Sequence, residues 1–171
     1  MAEAFIGIGS NLGNKRGNCM NALDALDAKA EISLLKASSL YYTEPYGDIK
    51  QDWFVNSVAK VETELNPFDL LQLLKTIESE FGRARNIKGG PRTLDLDMLF
   101  YDNLVLSQDR LTIPHPLSHE RAFVLIPLME IASHFIHPVL KVSAMELLND
   151  LNDGKIVQPL QNQQELISHC L

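Results

Sequence analysis

The sequence predicts an α+β fold: a ferredoxin-like βαββαβ core, with a mainly antiparallel sheet and helices packed on it. Candidate elements over the first hundred residues follow one another in the order βαββαβ, the order of that fold. Both candidate helices in this stretch repeat apolar residues at the helix period, as helices laid on a sheet require. The chain has 171 residues, 46% of them hydrophobic, which suits one well-packed core and is short for two. A single domain is therefore expected over residues 1–157. Residues 158–171 form a polar tail in this reading, because Gln158 to Glu165 is compositionally biased.

Ala4 to Gly9 is a short apolar run that ends in Gly-Ser-Asn, which reads as a strand entering a loop. Cys19, Leu23, Leu26 and Ala30 then repeat at a helix period, with Asn11 or Asn14 as cap. Two strands are expected at about Ile32 to Tyr42 and Phe54 to Leu65. The Pro45 and Gly47 of the connection between them break regular structure and mark a functional loop. Asn66-Pro67 is a helix start with Pro at the first helical position, and Leu70, Leu71, Leu74, Ile77 and Phe81 form its apolar stripe. Gly82 ends it. Residues 83–92 form a basic, glycine-bearing loop before a strand from Thr93 to Tyr101. Helices follow at Arg121 to Ala132, despite Pro127, and at about Ser143 to Leu151.

A formal charge of −7 argues against nucleic acid as a partner, since such proteins carry a basic face against the phosphates. Two cysteines, Cys19 and Cys170, suggest neither a disulfide framework nor a cysteine zinc site. The start of the chain lacks the pattern of a signal peptide and no apolar run approaches bilayer length, so a cytoplasmic protein without a membrane partner is expected.

In Thr93-Leu-Asp-Leu-Asp-Met-Leu99 a strand puts Asp95 and Asp97 on one face and Leu94, Leu96 and Met98 on the other. The Cα atoms of the two acids would lie roughly 7 Å apart by strand rise. Such a pair suits a hard divalent cation that takes its remaining ligands from phosphate oxygens; solvated acids on an open face are the alternative. Just before them stand Arg83, Arg85, Lys88 and Arg92. They can close over a polyphosphate and balance charge as a bond breaks, or form a solvated loop.

Phe54 and Asn56 share a strand face, an aromatic platform beside an amide that both donates and accepts, suited to a flat heterocycle; an aromatic at a strand start also serves a core. Glu78 stands mid-helix beside Ile77, either solvated or supporting a site. Arg110-Leu-Thr-Ile-Pro-His115 is rigid and non-helical and can supply ATP contacts, although His115, like His134 and His137, also reads as structural. A Walker phosphate loop, a dinucleotide fingerprint and the protein-kinase signatures are all missing. A bound ATP would rely on acids, metal and scattered basic groups.

From about Phe5 to Leu151 the chain resembles the 6-hydroxymethyl-7,8-dihydropterin pyrophosphokinase family of folate synthesis. The resemblance rests on Ile8-Gly-Ser-Asn-Leu12, Tyr42-Thr-Glu-Pro45, Phe54-Val-Asn56, Gly90-Pro-Arg-Thr-Leu-Asp-Leu-Asp97 and Leu111-Thr-Ile-Pro-His115. It implies a diphosphotransferase that moves the β,γ-pyrophosphoryl group of ATP to the pterin hydroxymethyl oxygen and releases AMP. The family site lies within one chain, which implies a monomer.

By that resemblance Asp95 and Asp97 bind two Mg²⁺ ions, with Arg83 and Arg92 on the phosphates as further catalytic groups. Thr43, Pro45, Tyr46, Phe54, Asn56, Asp95 and Phe123 would hold the pterin. Glu78, Arg83, Arg85, Arg92, Arg110, Thr112, His115 and Arg121 would hold ATP. The chain departs from the family pattern at Asn86, where a basic residue is usual, at Gly89, where tryptophan is frequent, and at Pro116, where tyrosine is frequent. A magnesium-dependent nucleotidyl- or glycosyltransferase, distinguished by its products, and a non-catalytic ferredoxin-like binding module are the competing readings.

Overall fold

A computed structural model describes residues 1–82 and 90–160. Its main elements, in chain order, are β1 (Ala2–Ser10), α1 (Lys15–Asp27), β2 (Ile32–Ala37), β3 (Tyr41–Thr43), β4 (Phe54–Thr63), α2 (Pro67–Glu80), β5 (Asp95–Tyr101), β6 (Leu106–Gln108), β7 (Leu111–Ile113), α3 (Ala122–Ile131), α4 (Ala144–Asp150) and β8 (Val157–Pro159). The main sheet runs β5-β1-β4-β3-β8, with β2 sharing the same edge of β4 as β3. Every pairing is antiparallel. With β2 and β3 counted as one interrupted strand, this is the ferredoxin-like arrangement expected from the sequence. No helix among the described residues is long and apolar enough to cross a membrane.

Local chemistry explains the element ends. The Asn14 side chain accepts from Gly17 N and caps α1. Asn66 accepts from Phe68 N and Asp69 N, with Pro67 at the first helical position of α2, where the missing N–H costs nothing. Ser143 and Glu146 form a reciprocal capping box on α4.

Three expectations need correction. The single strand expected from Ile32 to Tyr42 is broken at residues 38–40. There the Ser38 hydroxyl accepts from Val58 N at 2.9 Å, and Ser39 N turns away to the Glu130 carboxylate at 2.9 Å; side-chain bonds take the place of a continuous ladder. The strand expected from Thr93 begins at Asp95, because the backbone of Arg92 and Thr93 bonds instead to Asn11 and Asn18. Gln158 and Pro159, expected in the tail, pair with Tyr42 and Tyr41 and so cover the edge of β3. Leu160 N donates to Leu40 O at 2.8 Å, and residues 161–171 lie outside the described residues.

The two helices of the βαββαβ core share one face of the sheet, and the two later helices cover part of the other. On one side α1 and α2 bury Leu26, Leu70, Leu74 and Ile77 against Ile6, Ile8, Leu96 and Met98. On the other, α3 and α4 bring Val124, Leu125, Leu128 and Ala144 onto Phe5, Val58, Leu99 and Phe100. A register shift opposite Phe5 and Ile6 leaves Leu99 between paired neighbours, so Leu99 and Phe100 both belong to the second side. The uncovered part of that second side is the floor of a cavity.

Candidate active site

The cavity, about 180 Å³ in volume, is floored by Gly7 and Gly9 of β1, Asn56 and Ser57 of β4, and Asp95, Asp97 and Leu99 of β5. Thr43, Glu44, Pro45 and Tyr46 rise on one side, and Arg121, Phe123 and Val124 at the start of α3 face them. Strand alternation accounts for the floor: Asp95 and Asp97 stand here because Leu94, Leu96 and Met98 are buried on the helix side.

Phe54 and Asn56 also face the cavity. Asn56 is buried, and its Nδ2 donates to the Thr43 hydroxyl, which fixes the amide's orientation. The Asn56 Oδ1 atom lies where a side chain on Gly9 would begin, 2.6 Å from an ideal Cβ. Only glycine leaves room for this amide to lie on the floor. Tyr46 and Phe123 meet edge to face at 5.4 Å, and the Arg121 guanidinium stands 5.5 Å from the Phe123 ring.

A second recess, about 240 Å³, adjoins the first and is lined by Leu71, Leu96, Met98, Asp109, Arg110, Thr112, His115 and Pro116. Asp97 belongs to the linings of both. Arg110 lies in the β6–β7 connection and Thr112 in β7, a short hairpin absent from the sequence reading. His115 is held by its N–H to Leu99 O at 2.9 Å, and its Nδ1 accepts from Leu117 N at 3.2 Å. A neutral His115 thus carries its proton on Nε2. Burial and the Arg121 charge push its pKa below the ordinary histidine value, and the Asp95 carboxylate opposes them.

The structure therefore brings Thr43, Pro45, Tyr46, Phe54, Asn56, Asp95 and Phe123 to one cavity, as expected for a single ligand. Arg110, Thr112 and His115 line the adjoining recess. Arg121 and Arg92, expected on the nucleotide side, line the first cavity instead. For Arg121 the reason is its place immediately before α3, against Phe123. Glu78 lines neither recess; it is 3% exposed and its Oε1 accepts the Leu96 N–H at 2.8 Å, beneath the strand that carries both acids. Arg83, Arg85, Lys88, Asn86 and Gly89 lie outside the described residues.

Sequence reasoning missed the supports of the site. Asn11, considered only as a helix cap, donates through Nδ2 to Gln51 Oε1 at 2.9 Å and to Asp52 O at 3.0 Å, while its Oδ1 accepts from Arg92 N at 2.7 Å. Lys15, at the start of α1, is buried and bonds Asp52 at 2.7 Å. Its partner Asp52 lies 37 residues away, so no local pattern signalled the pair. A buried lysine paired with an acid is costly to leave open, and here it anchors the loop that supplies Gln51 to the cavity.

Residues 5–133 match the family 7,8-dihydro-6-hydroxymethylpterin-pyrophosphokinase. A Haemophilus influenzae protein named 2-amino-4-hydroxy-6-hydroxymethyldihydropteridine pyrophosphokinase is 42% identical over 158 residues, covering 92% of this chain and 98% of its own. A folic acid synthesis protein of Dictyostelium discoideum is 41% identical over 153 residues; these cover 89% of this chain and 23% of that much longer one. Among solved structures, a Plasmodium falciparum HPPK-DHPS bound to pteroate superposes with a TM-score of 0.70 at 16% identity, over 86% of this chain and 42% of its own. That structure supports the fold, and the sequence matches carry the kinship: the chain belongs to the 7,8-dihydro-6-hydroxymethylpterin-pyrophosphokinase family.

Proposed function

We propose that this chain transfers the pyrophosphoryl group of ATP to the hydroxymethyl oxygen of 6-hydroxymethyl-7,8-dihydropterin, giving AMP and the pterin diphosphate for folate synthesis. The observation that carries the reading is Asp97, which belongs to the lining of two adjoining recesses of different character. One has rings and a fixed amide, suited to a flat hydrogen-bonding heterocycle; the other has Arg110, Thr112 and His115, suited to a nucleotide.

In this reading Asn56 reads the edge of the pterin while Phe54, Tyr46 and Phe123 bound its faces. Arg110, Thr112 and His115 hold the nucleotide beside Asp97. The acceptor oxygen then attacks the β-phosphorus, the bond from that phosphorus to the oxygen retained by AMP breaks, and the acceptor's proton passes to solvent. Phosphoryl-type transfer through a loose transition state needs alignment and charge balance more than an activated nucleophile, so no general base is assigned. Arg92 and Arg121 at the first cavity contribute positive charge where phosphate oxygens would gather.

Asp95 and Asp97 fit magnesium. They are hard oxygen donors on one strand face, which suits an ion that takes its remaining ligands from water and phosphate. We assign two Mg²⁺ ions to this pair; when bound they supply charge neutralisation at the transferring group. By the family resemblance the enzyme acts as a monomer, in the cytoplasm.

The test is a magnesium-dependent assay with ATP and the pterin that resolves AMP from ADP. AMP formed only when pterin is present is the expected result. ADP, or no nucleotide product from folded protein, would refute the assignment.

A further inference from the structure

Two of the aromatic rings that face the first cavity, Tyr46 and Phe123, are part of a longer row. Lys155 Nζ stands 5.6 Å from the Tyr46 ring, Tyr46 meets Phe123 at 5.4 Å, and Arg121 stands 5.5 Å from Phe123. A cation therefore flanks the ring pair at each end. Arg121, Tyr46 and Phe123 line the cavity, whereas Lys155 does not.

Lys155 reaches the row from the segment leading into β8, which is laced to the chain leaving β3. Glu44 N donates to Ile156 O at 3.0 Å, Ile156 N donates to Glu44 Oε2 at 3.2 Å, and Lys155 Nζ approaches Glu44 Oε1 at 3.7 Å. Asp153 Oδ1 accepts from Lys155 N at 2.9 Å and shapes the turn. The β3–β8 register pairs Thr43 with Val157. Continued by one step it sets Glu44 beside Ile156, as those bonds require. Lys155 thus grips both residues that flank Pro45. Among the described residues the buried Tyr46 hydroxyl has no hydrogen-bond partner, so its own polar end does not fix the ring. Packing against Phe123 and the Lys155 cation are what hold it.

We infer that Lys155 is a positioning residue for the acceptor: from outside the cavity it holds Tyr46 and Glu44 in the wall against which the heterocycle lies. This rests on the assignment of the first cavity to the pterin. A residue acting this way affects pterin binding and leaves the nucleotide recess alone, since no lining residue of that recess contacts it through the bonds above.

The test compares Lys155→Met, which keeps length and loses charge, and Lys155→Arg, which keeps the charge, with the unaltered protein. Pterin Kd is measured in the presence of a non-hydrolysable ATP analogue, alongside KM for each substrate, kcat and the thermal midpoint. One ring–cation contact and one partly exposed ion pair together correspond to about a fivefold effect. Lys155→Met is expected to raise pterin Kd and KM about fivefold, with ATP KM, kcat and thermal midpoint unchanged, and Lys155→Arg to restore binding. Unchanged pterin Kd in Lys155→Met, or a loss shared equally with ATP and accompanied by a lower midpoint, overturns the inference. If the unaltered protein fails to bind pterin, the cavity assignment falls and this inference with it; binding by the unaltered protein and by Lys155→Met alike removes the inference alone.

Discussion

Asn11 holds Arg92 by its backbone at both polar groups: Asn11 Oδ1 accepts from Arg92 N at 2.7 Å and Asn11 N donates to Arg92 O at 3.0 Å. The other end of the same amide holds Gln51 and the Asp52 carbonyl. One side chain thereby sets the distance between the loop preceding β4 and the residues entering β5. Asn11→Ala removes three side-chain hydrogen bonds and leaves the Arg92 N–H seeking a partner, a loss of about 1–3 kcal/mol in stability. Urea denaturation should show the midpoint lowered with an unchanged slope, and turnover should fall even where the variant is fully folded. Full activity with a lowered midpoint would show that Arg92 does not depend on this amide.

Gly9→Ala tests the floor of the first cavity. Its new Cβ would lie 2.6 Å from Asn56 Oδ1, so the Asn56 amide must leave its bond to Thr43 or the strands must part. Overpacking of this kind costs about 1–3 kcal/mol. Pterin KM should rise about tenfold or more, corresponding to 1.4 kcal/mol per decade, while ATP KM changes little. Titration of each substrate separately decides it; equal effects on both would place the damage in the sheet as a whole.

Asp97 occupies the boundary between the two recesses, and the proposed chemistry passes there. Asp97→Ala should lower turnover about 10²–10³-fold, in the range expected when a transition-state charge partner is removed, while circular dichroism stays that of the native fold. Chelation of magnesium in the unaltered protein should have the same effect and be reversed by adding the ion back. A folded Asp97→Ala protein with undiminished turnover would defeat the mechanism.

The acid side of the stability profile should depend on His137. This ring is buried, and burial, with the nearby His119, holds its pKa below the ordinary histidine value of about 6.5. Its Nδ1 accepts from Val139 N at 3.2 Å and Leu140 N at 3.1 Å, bonds that only the neutral ring can accept. The folded state therefore binds its proton less readily than the unfolded state. Such a group's contribution is present above the unfolded pKa and is lost as pH falls through the lower folded value. The thermal midpoint should decline from about pH 6.5 downward, and His137→Asn, which keeps an acceptor without titrating in this range, should flatten that decline. An unchanged slope in the variant would exclude His137 as the cause.

Much of the molecule was legible in the chain itself, because the signals were local. Asn66-Pro67 specifies a helix start through bonds to residues two and three places on. Alternation along β5 alone puts Asp95 and Asp97 on one face, and alternation along β4 does the same for Phe54 and Asn56. The motifs around these positions were enough to point to the family. Glu78 and Arg121 illustrate the opposite case: the family resemblance implied nucleotide contacts for both, but position in the chain did not reveal that Glu78 turns its carboxylate to the Leu96 N–H or that Arg121 faces the first cavity. Along a helix or at its entry, sequence spacing does not say which neighbour from another element waits opposite.

Local signals specified the βαββαβ order of the core, the start of α2 at Asn66-Pro67, and which residues share a strand face; each depends on contacts a few residues apart and on the fixed periods of strand and helix. Chain closure set how α3 and α4 cover part of the second sheet face and leave the cavity beside them, how Asn11 ties the loop preceding β4 to Arg92, and how Lys155 reaches Tyr46 from more than a hundred residues away. Those outcomes depend on strand register and on pairs of groups brought together by chain closure, and no periodicity in the linear sequence encodes which distant partners will meet.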